Sequence, residues 1–124
     1  PRIENDLVEL LSLVGECNLS NYKLKISEKI ASTVILVSGG YPEKYEKGET
    51  INGLNDLSDV LLFHAGTKKI GNSIVTAGGR VLALTAMGKT MEESLSKSYK
   101  AAGQISYEGK YYRKDIGQDL KYRI

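Results

Sequence analysis

The sequence is short of the residues that form disulfides, metal sites and membrane spans. Its 124 residues include one cysteine, Cys17, and one histidine, His64. A lone cysteine cannot close an internal disulfide, and one histidine beside it makes a zinc site with several ligands hard to assemble. No run of 18 apolar residues occurs, and no basic stretch followed by an apolar run opens the chain, so neither a membrane span nor a secretory signal is predicted. We therefore expect a reducing, cytoplasmic setting.

The sequence also has no recognised nucleotide-binding loop. Neither the P-loop pattern nor Gly-x-Gly-x-x-Gly after a strand is present. The glycine pairs Gly39-Gly40 and Gly78-Gly79 follow predicted strands, where a hairpin turn with positive φ is favoured over a phosphate-binding nest. No nucleophilic triad or pair of acid and base carboxylates stands out. We accordingly assign no catalytic residue and no metal ligand.

The composition is that of one globular domain with a weak overall charge. Hydrophobic residues make up 41%, and the net charge of +2 is too small to indicate nucleic-acid binding. The charge is nevertheless uneven, because residues 1–93 carry 10 basic and 12 acidic side chains and residues 94–124 carry 7 and 3. Five tyrosines share that basic end and could stack on bases or cover a core: Tyr99, Tyr107, Tyr111, Tyr112 and Tyr122.

Two helices are predicted from apolar spacing and end signals. The first ends at Gly15, and the second begins after Thr90, with Glu93 three residues on as in a capping box, and continues through Gly103. The apolar stripe of the first is Ile3, Leu7, Leu10, Leu11 and Val14, and the buried face of the second is Met91, Leu95, Ser98, Tyr99 and Ala102.

The strands are predicted to form an antiparallel meander. Residues 31–37 are β-branched and typical of a central strand, and the alternation of 22–26 indicates a half-buried one. Further predicted strands are 59–66, 74–77 after a hairpin turn at Ile70–Ser73, 80–86 after Gly78-Gly79, and a last pair in 105–112. The predicted fold class is α+β: a small curled antiparallel sheet, or half-barrel, under one covering helix.

Arg80 is the most informative charged residue. If Gly78-Gly79 is a two-residue turn, strand alternation places Arg80 on the face of Val75, Leu82 and Leu84. A guanidinium at the rim of an apolar face needs an anion. A structural carboxylate and a ligand phosphate are equally good candidates for that anion.

Four donors near the predicted meander form a candidate oxyanion site: His64, Thr67, Lys68 and Arg80. His64 alone is more typical of a hydrogen-bonded structural histidine at a strand end. The long segment 41–55 precedes them, and Tyr41, Tyr45 and Lys47 in it could cover the site or belong to a solvated, charged loop.

Four separate motifs together resemble one enzyme family. They are Gly40-Tyr41-Pro42-x-x-Tyr45-x-x-Gly48, Phe63-His64-Ala65-Gly66-Thr67, Gly78-Gly79-Arg80-Val81-Leu82-Ala83-Leu84-Thr85-Ala86-x-Gly88 and Tyr112-Arg113-Lys114-Asp115-Ile116-Gly117. In this order and spacing they resemble phosphoribosylamine–glycine ligase, from Pro1 to about Gly117. Because the chain begins with Pro1 rather than methionine, we expect a processed product or a piece of a longer protein.

The resemblance implies a domain division and a role. Residues 1–16 would be the last helix of an ATP-grasp domain, and residues 17–124 the C-terminal half-barrel, which in similar ATP-grasp enzymes closes the substrate side with lysine and arginine. We assign that role here to His64, Thr67, Lys68 and Arg80, because these donors are predicted to converge. ATP and magnesium or manganese would bind to the missing N-terminal and ATP-grasp domains, and none is expected on this segment. The substrates would be glycine and 5-phosphoribosylamine, joined through glycyl phosphate in purine biosynthesis.

A second class of function stays open at this point. A small barrel could bind single-stranded nucleic acid through its basic, tyrosine-rich end. The ligase hypothesis instead predicts no nucleic-acid partner, no membrane partner and no activity of this segment alone.

Overall fold

The computed structural model describes residues 1–120 and has the predicted α+β fold, with small antiparallel sheets and a covering helix. Its elements in chain order are α1 (Leu7–Gly15), β1 (Ile30–Val37), β2 (Val60–His64), β3 (Thr67–Ile70), β4 (Ser73–Thr76), β5 (Arg80–Gly88), α2 (Met91–Gln104) and a 3₁₀ turn (Gln118–Leu120). Neither α1 nor α2 is long and apolar enough to cross a membrane.

The strands form two separate antiparallel sheets rather than one meander. β5 lies between β1 and β2, and β3 pairs only with β4, through the predicted hairpin turn at Ile70–Ser73. The prediction of β1 as the central strand is therefore wrong. Its second edge has one bridge, from Val37 to Tyr111. β-branched residues predict that a strand is buried, but not that it has a partner on both edges. Helix α2 and strand β5 bury β1, so its composition did not reveal that it lies at the edge of the sheet.

The Gly78-Gly79 pair joins the two sheets and is not a hairpin turn. Neither Gly78 nor Gly79 has a positive φ. In the Gly39-Gly40 pair, Gly40 has a positive φ of 89°. Gly66 and Gly78 instead let two backbones approach, because a Cβ on Gly66 would lie 2.6 Å from the Cα of Gly78. The glycines are needed here for space, since any side chain would push the hairpin away from β5.

A β-bulge in β5 reverses the predicted orientation of Arg80. Opposite β1, Leu36 pairs with Leu82 and Val37 pairs with Arg80, so Val81 is the extra residue. Because cross-strand partners point to one face, Arg80 lies on the face of Val37, opposite to that of Leu82. The prediction that Arg80 shares a face with Leu82 and Leu84 is wrong, because uninterrupted alternation does not account for the bulge.

Helix α2 covers the other face of the three-stranded sheet through small side chains. Ser98 Oγ lies 3.0 Å from Ser32 Oγ and 3.1 Å from the Ser32 carbonyl oxygen, to which it donates. The buried residues of α2 are Ser94, Ser98, Ala101 and Ala102, whereas the predicted Met91, Leu95 and Tyr99 are only partly buried. Small residues bring the helix close to β1 and β5, and the hydrophobic core lies between them.

The start of α2 is stabilised as the sequence predicts. Thr90 Oγ1 accepts a hydrogen bond from the Glu93 amide at 3.1 Å. The Glu93 carboxylate accepts one from Lys97 Nζ at 2.6 Å and one from the Lys89 amide at 2.8 Å. These hydrogen bonds, with Lys97 contributing most, lower the pKa of Glu93 below its usual value.

Two of the predicted strand regions form only single bridges. Residues 22–26 contribute one bridge, Ile26 to Ile3. Residues 105–112 do not pair with each other, because Ser106 bridges to Asn52 and Tyr111 bridges to Val37. A segment with alternating or β-branched residues forms a strand only where a neighbouring strand pairs with several of its residues. In both regions the neighbouring segment pairs with single residues only.

Helix α1 is regular but has no buried residue. The Asp6 side chain accepts hydrogen bonds from the amides of Val8 and Glu9, and the helix ends at Gly15 as predicted. Ile3 lies outside it. Leu11 is 60% exposed and Val8 74%, so the apolar stripe of the helix faces solvent. Packing normally supplies most of the stability of a nine-residue helix, and α1 lacks it here.

We expect the amides of α1 to exchange with solvent far faster than those of β5. Local opening of an unpacked helix costs little, whereas opening the central strand costs most of the global free energy of unfolding. Hydrogen exchange of the dilute, monomeric chain tests this. Protection at Leu7–Leu11 equal to that at Leu82–Leu84 of β5 would contradict it.

We expect Glu93 to make the stability of the chain depend on pH. Its lowered pKa means that the ionised carboxylate stabilises the fold above the unfolded-state pKa, and that this contribution is lost as pH falls through the folded-state pKa. Glu93→Gln should therefore lose less stability than the parent chain between about pH 6 and pH 3, measured by urea unfolding. Glu92→Gln is the matched control, because Glu92 forms no ion pair within residues 1–120. Equal pH profiles for the parent chain and Glu93→Gln would refute this.

Candidate functional site

Arg80 is held by its backbone and presents its side chain to solvent. The Arg80 carbonyl accepts a hydrogen bond from the Gly66 amide at 2.7 Å. Just before it, the Gly79 carbonyl accepts from the Ser38 amide at 2.9 Å, and the Gly78 carbonyl accepts from Ser38 Oγ at 3.0 Å. These bonds fix the Arg80 backbone, while its side chain is exposed.

The charge of Arg80 is not balanced by a nearby carboxylate in the described part of the chain. The ion pairs within residues 1–120 are Glu93 with Lys97 and Asp115 with Arg113. No aspartate or glutamate among these residues comes within 4.0 Å of the Arg80 guanidinium. Of the two anions considered from the sequence, the structural carboxylate therefore has no support in residues 1–120.

A cleft of about 480 Å³ adjoins Arg80, and we call it the Arg80 cleft. Its lining residues are Ile35, Tyr41, Ala65, Gly66, Gly79, Arg80, Leu82 and Ala83. The cleft lies on the sheet face that α2 leaves uncovered, with one cation among small and apolar side chains. An anionic ligand there would meet the planar fork of a guanidinium, which suits carboxylate and phosphate groups.

The predicted covering loop does reach the Arg80 cleft. The Tyr41 ring rests on Gly79 so closely that a Cβ there would overlap it. Tyr41 and Tyr45 are in edge-to-face contact, with ring centroids 5.8 Å apart, and Lys47 Nζ lies 5.6 Å from the Tyr45 centroid. The three predicted loop residues therefore form a connected row that ends at the cleft.

The other predicted donors lie elsewhere. His64 Nδ1 is 2.9 Å from Thr67 Oγ1, a hydrogen bond that matches the structural interpretation of the histidine. His64 pairs with Leu82, so it lies on the α2 side of the sheet, and Lys68 is exposed on β3. None of these three residues lines the Arg80 cleft. For His64 the bulge at Val81 is the reason, because it places Arg80 on the opposite face of the three-stranded sheet. Thr67 and Lys68 lie on β3, in the other sheet.

A second cavity on the other side of Arg80 was not anticipated from the sequence. It has a volume of about 290 Å³, and we call it the tyrosine pocket. Its lining residues are Ile35, Val37, Tyr41, Arg80, Tyr111, Tyr112, Arg113 and Ile116. The motif Tyr112–Gly117 was a signal that this segment mattered, but its approach to β1 depends on the bridge between Val37 and Tyr111, which sequence spacing does not reveal.

Several residues of the basic end have structural partners. Tyr107 Oη donates to the Val37 carbonyl at 3.0 Å, and burial raises its pKa. Tyr99 Oη accepts from the Ile116 amide and donates to the Arg113 carbonyl, both at 3.2 Å. These two hydroxyls act as fold-stabilising links, so the nucleic-acid alternative is unsupported. Tyr122 lies outside the described residues.

Lys110 and Arg113 are also occupied. Lys110 Nζ donates to the carbonyls of Ala102, at 2.8 Å, and Ile105, and burial lowers its pKa. The Arg113 guanidinium donates to both Asp115 oxygens, at 2.9 and 2.7 Å, which raises the pKa of Arg113 and lowers that of Asp115. The excess positive charge of this end is therefore partly committed within the fold.

The described residues do not fit a divalent metal. No group of three histidine, cysteine, aspartate or glutamate side chains in residues 1–120 comes together. A magnesium or calcium site uses several oxygen ligands, so we derive no chemical step through a metal on this part of the chain.

Comparison with known proteins identifies the family. Residues 31–119 match the family model described as "Phosphoribosylglycinamide synthetase, C domain". The chain belongs to this family. It is 41% identical over 120 residues to the phosphoribosylamine–glycine ligase of Chlorobaculum tepidum, and 45% identical over 122 residues to the bifunctional purine biosynthetic protein purD of Dictyostelium discoideum.

The family match covers most of this chain and a minor part of its relatives. The alignments include 94% and 95% of this chain but only 28% and 15% of those two proteins. The crystal structure of phosphoribosylamine–glycine ligase from Thermotoga maritima superposes with a TM-score of 0.68 at 33% identity, over 86% of this chain and 27% of that one. The resemblance seen in the four motifs is thus confirmed for a C-terminal domain.

We expect Gly79→Ala to destabilise the chain through Tyr41. The new Cβ would overlap the ring, and overpacking of this kind costs about 1–3 kcal/mol in the free energy of unfolding. In a Tyr41→Ala background the cost should fall by at least about 0.5 kcal/mol, because the overlapping ring is gone.

The matched control is Gly103→Ala, where an added Cβ meets no atom within 4 Å. In a helix this change should stabilise by roughly 0.5–1 kcal/mol. Urea unfolding of the four variants gives the comparison. The same cost for Gly79→Ala with and without Tyr41 would show that the ring does not hold this position.

Proposed function

We propose that the chain is the C-terminal part of a ligase that joins glycine to 5-phosphoribosylamine. In the proposed reaction ATP phosphorylates the glycine carboxylate, and the amine of phosphoribosylamine then displaces phosphate from glycyl phosphate. The family match over residues 31–119 and the printed names of the relatives support this assignment. Because the chain spans only 28% of the length of such a relative, it would contribute one side of the active site and be inactive alone.

The proposed role of the chain is to hold the phosphate of phosphoribosylamine with Arg80. The observation that carries this is an exposed guanidinium in a cleft, without a carboxylate within 4.0 Å in residues 1–120. Its backbone is fixed on both sides, so phosphate binding would order only the exposed side chain and not the strand. A bidentate pair between guanidinium and phosphate would then orient the amine toward glycyl phosphate.

The remaining predicted residues have more limited roles in this proposal. Tyr41, Tyr45 and Lys47 would cover the Arg80 cleft from the loop side, since their contacts lead into it. His64 would contact substrate only from the opposite face of the three-stranded sheet, and Thr67 and Lys68 only from the β3–β4 sheet. The geometry gives them less support than Arg80.

The rest of the proposed enzyme would come from outside this chain. We assign residues 1–16 to the last helix of an ATP-grasp domain and residues 17–124 to the C-terminal domain. ATP and magnesium or manganese would bind on the N-terminal and ATP-grasp domains, since residues 1–120 offer no cluster of metal ligands. A cytoplasmic location fits an enzyme with these small, charged substrates.

We expect the isolated chain to be inactive. Supplied with ATP, glycine and phosphoribosylamine, it should form no ADP above the background rate, because it lacks a nucleotide-binding loop. Adding back the missing domains as a separate polypeptide is the positive control. ADP formation by the 124-residue chain alone would show that catalysis does not depend on those domains.

In the whole enzyme, Arg80→Lys should weaken use of phosphoribosylamine and leave that of ATP nearly unchanged. A lysine cannot reproduce the bidentate fork, and losing a hydrogen bond to a charged group costs about 1.5–3 kcal/mol, or roughly tenfold to a hundredfold in kcat/KM. Steady-state constants for each substrate measure this.

The matched control is Arg2→Lys, because the Arg2 guanidinium donates to the Ser27 carbonyl and lines neither cavity. It should change neither constant by more than about threefold. Unchanged kinetics for phosphoribosylamine in Arg80→Lys, together with a lower melting temperature of the 124-residue chain, would reject the phosphate assignment.

A further inference from the structure

The tyrosine pocket and the Arg80 cleft meet at the same guanidinium. Ile35, Tyr41 and Arg80 line both cavities. A ligand in the tyrosine pocket therefore has access to the one arginine to which the proposed function assigns a substrate phosphate. The second cavity is unused by that proposal.

The walls of the tyrosine pocket suit a flat, apolar ring. Ile35, Val37 and Ile116 supply aliphatic surface, and Tyr111 and Tyr112 supply aromatic surface. Its volume of about 290 Å³ is at the lower end of the range for small-ligand pockets, which are mostly apolar with a few placed polar groups. Aromatic rings in such sites stack or meet edge to face, with a gain beyond simple burial.

Only one of the two arginines at this pocket is available to an anion. Both oxygens of Asp115 accept hydrogen bonds from Arg113, so that charge is already balanced. Arg80 has no carboxylate within 4.0 Å among residues 1–120. The pocket therefore combines an apolar, aromatic interior with one uncompensated guanidinium at its edge, and a phosphate is the group that such a fork binds best.

We propose that the tyrosine pocket and Arg80 form a binding site for an aromatic base joined through a sugar to a phosphate, the chemistry of a nucleoside monophosphate. The ring occupies the tyrosine pocket and the phosphate pairs with Arg80. Such a ligand excludes any other phosphate from Arg80, so it competes with phosphoribosylamine in the whole enzyme. This competition rests on the proposed function, whereas the binding itself does not.

The binding test compares three probes on the 124-residue chain at one ionic strength. AMP carries an aromatic base and a phosphate on one ribose. Adenosine lacks the phosphate, and ribose 5-phosphate lacks the base. Calorimetry or NMR titration should show AMP binding at least about tenfold more tightly than either of the others, because each part adds contacts. AMP binding no tighter than ribose 5-phosphate, or no tighter than adenosine, overturns the proposal, as does the absence of AMP binding below about 1 mM.

Three variants separate the two halves of the site. Arg80→Gln should remove the advantage of AMP over adenosine, and Tyr111→Ala should remove its advantage over ribose 5-phosphate. Tyr111 is 60% exposed and bridges to Val37 through backbone atoms, so truncating it should leave the fold intact. Lys114→Gln is the matched control and should change AMP affinity by less than about threefold, since Lys114 is an exposed cation of the same segment that lines neither cavity. Melting temperatures verify that each variant is folded.

The two proposals fail separately. If Arg80→Lys leaves phosphoribosylamine kinetics unchanged but AMP still binds with the expected preference, the proposed substrate role is wrong and the nucleotide site stands. If ribose 5-phosphate binds as well as AMP, the ring site is wrong and the substrate role stands. In the whole enzyme, AMP should raise the KM for phosphoribosylamine, and Tyr111→Ala should remove that effect.

Discussion

The extra residue in β5 determines where the site of this domain lies. Val81 and Leu82 are adjacent in sequence, and both are fully buried in the core. Because Val81 is the extra residue of the bulge, it interrupts the strict alternation of β5 at this point. The same offset turns Arg80 away from α2. Without it, the guanidinium would face the core near Leu36, where an unpaired charge is very costly.

Close backbone contacts then build the cleft around that arginine. Gly66 meets Gly78, Gly79 meets the Tyr41 ring, and a Cβ on Gly39 would lie 2.8 Å from the Gly109 carbonyl oxygen. These contacts bring three loops to the N-terminal end of β5, of which Arg80 is the first residue. The glycines act mainly through their missing side chains, since Gly39, Gly78 and Gly79 have ordinary negative or extended φ values. These close approaches and the hydrogen bonds to the Gly78, Gly79 and Arg80 carbonyls together set the shape of the site.

Local features of the sequence predicted local structure well and long-range placement poorly. The cap at Thr90, the hairpin turn at Ile70–Ser73 and the end of α1 at Gly15 were predicted, because each depends on residues within a few positions. The split into two sheets, the central place of β5 and the bulge at Val81 were not, because they depend on partners as many as 58 residues away. Arg80 was thus selected as a candidate from the sequence, but the face on which it lies was predicted wrongly.

The residues that stabilise the fold and those proposed to bind a ligand are mostly different, with Leu82 belonging to both the core and the lining of the Arg80 cleft. The core residues Val34, Leu36, Leu82 and Leu84 are fully buried between β1, β5 and α2. Arg80 and Tyr41 lie on the far face and are exposed, and α1 buries nothing. Removing an exposed side chain without a partner costs little free energy of unfolding. Residues on the far face can therefore change to suit a ligand at little cost in the free energy of unfolding, whereas residues on the α2 face cannot. The bulge at Val81 separates the two, because it places Arg80 on the far face and leaves Leu82 in the core.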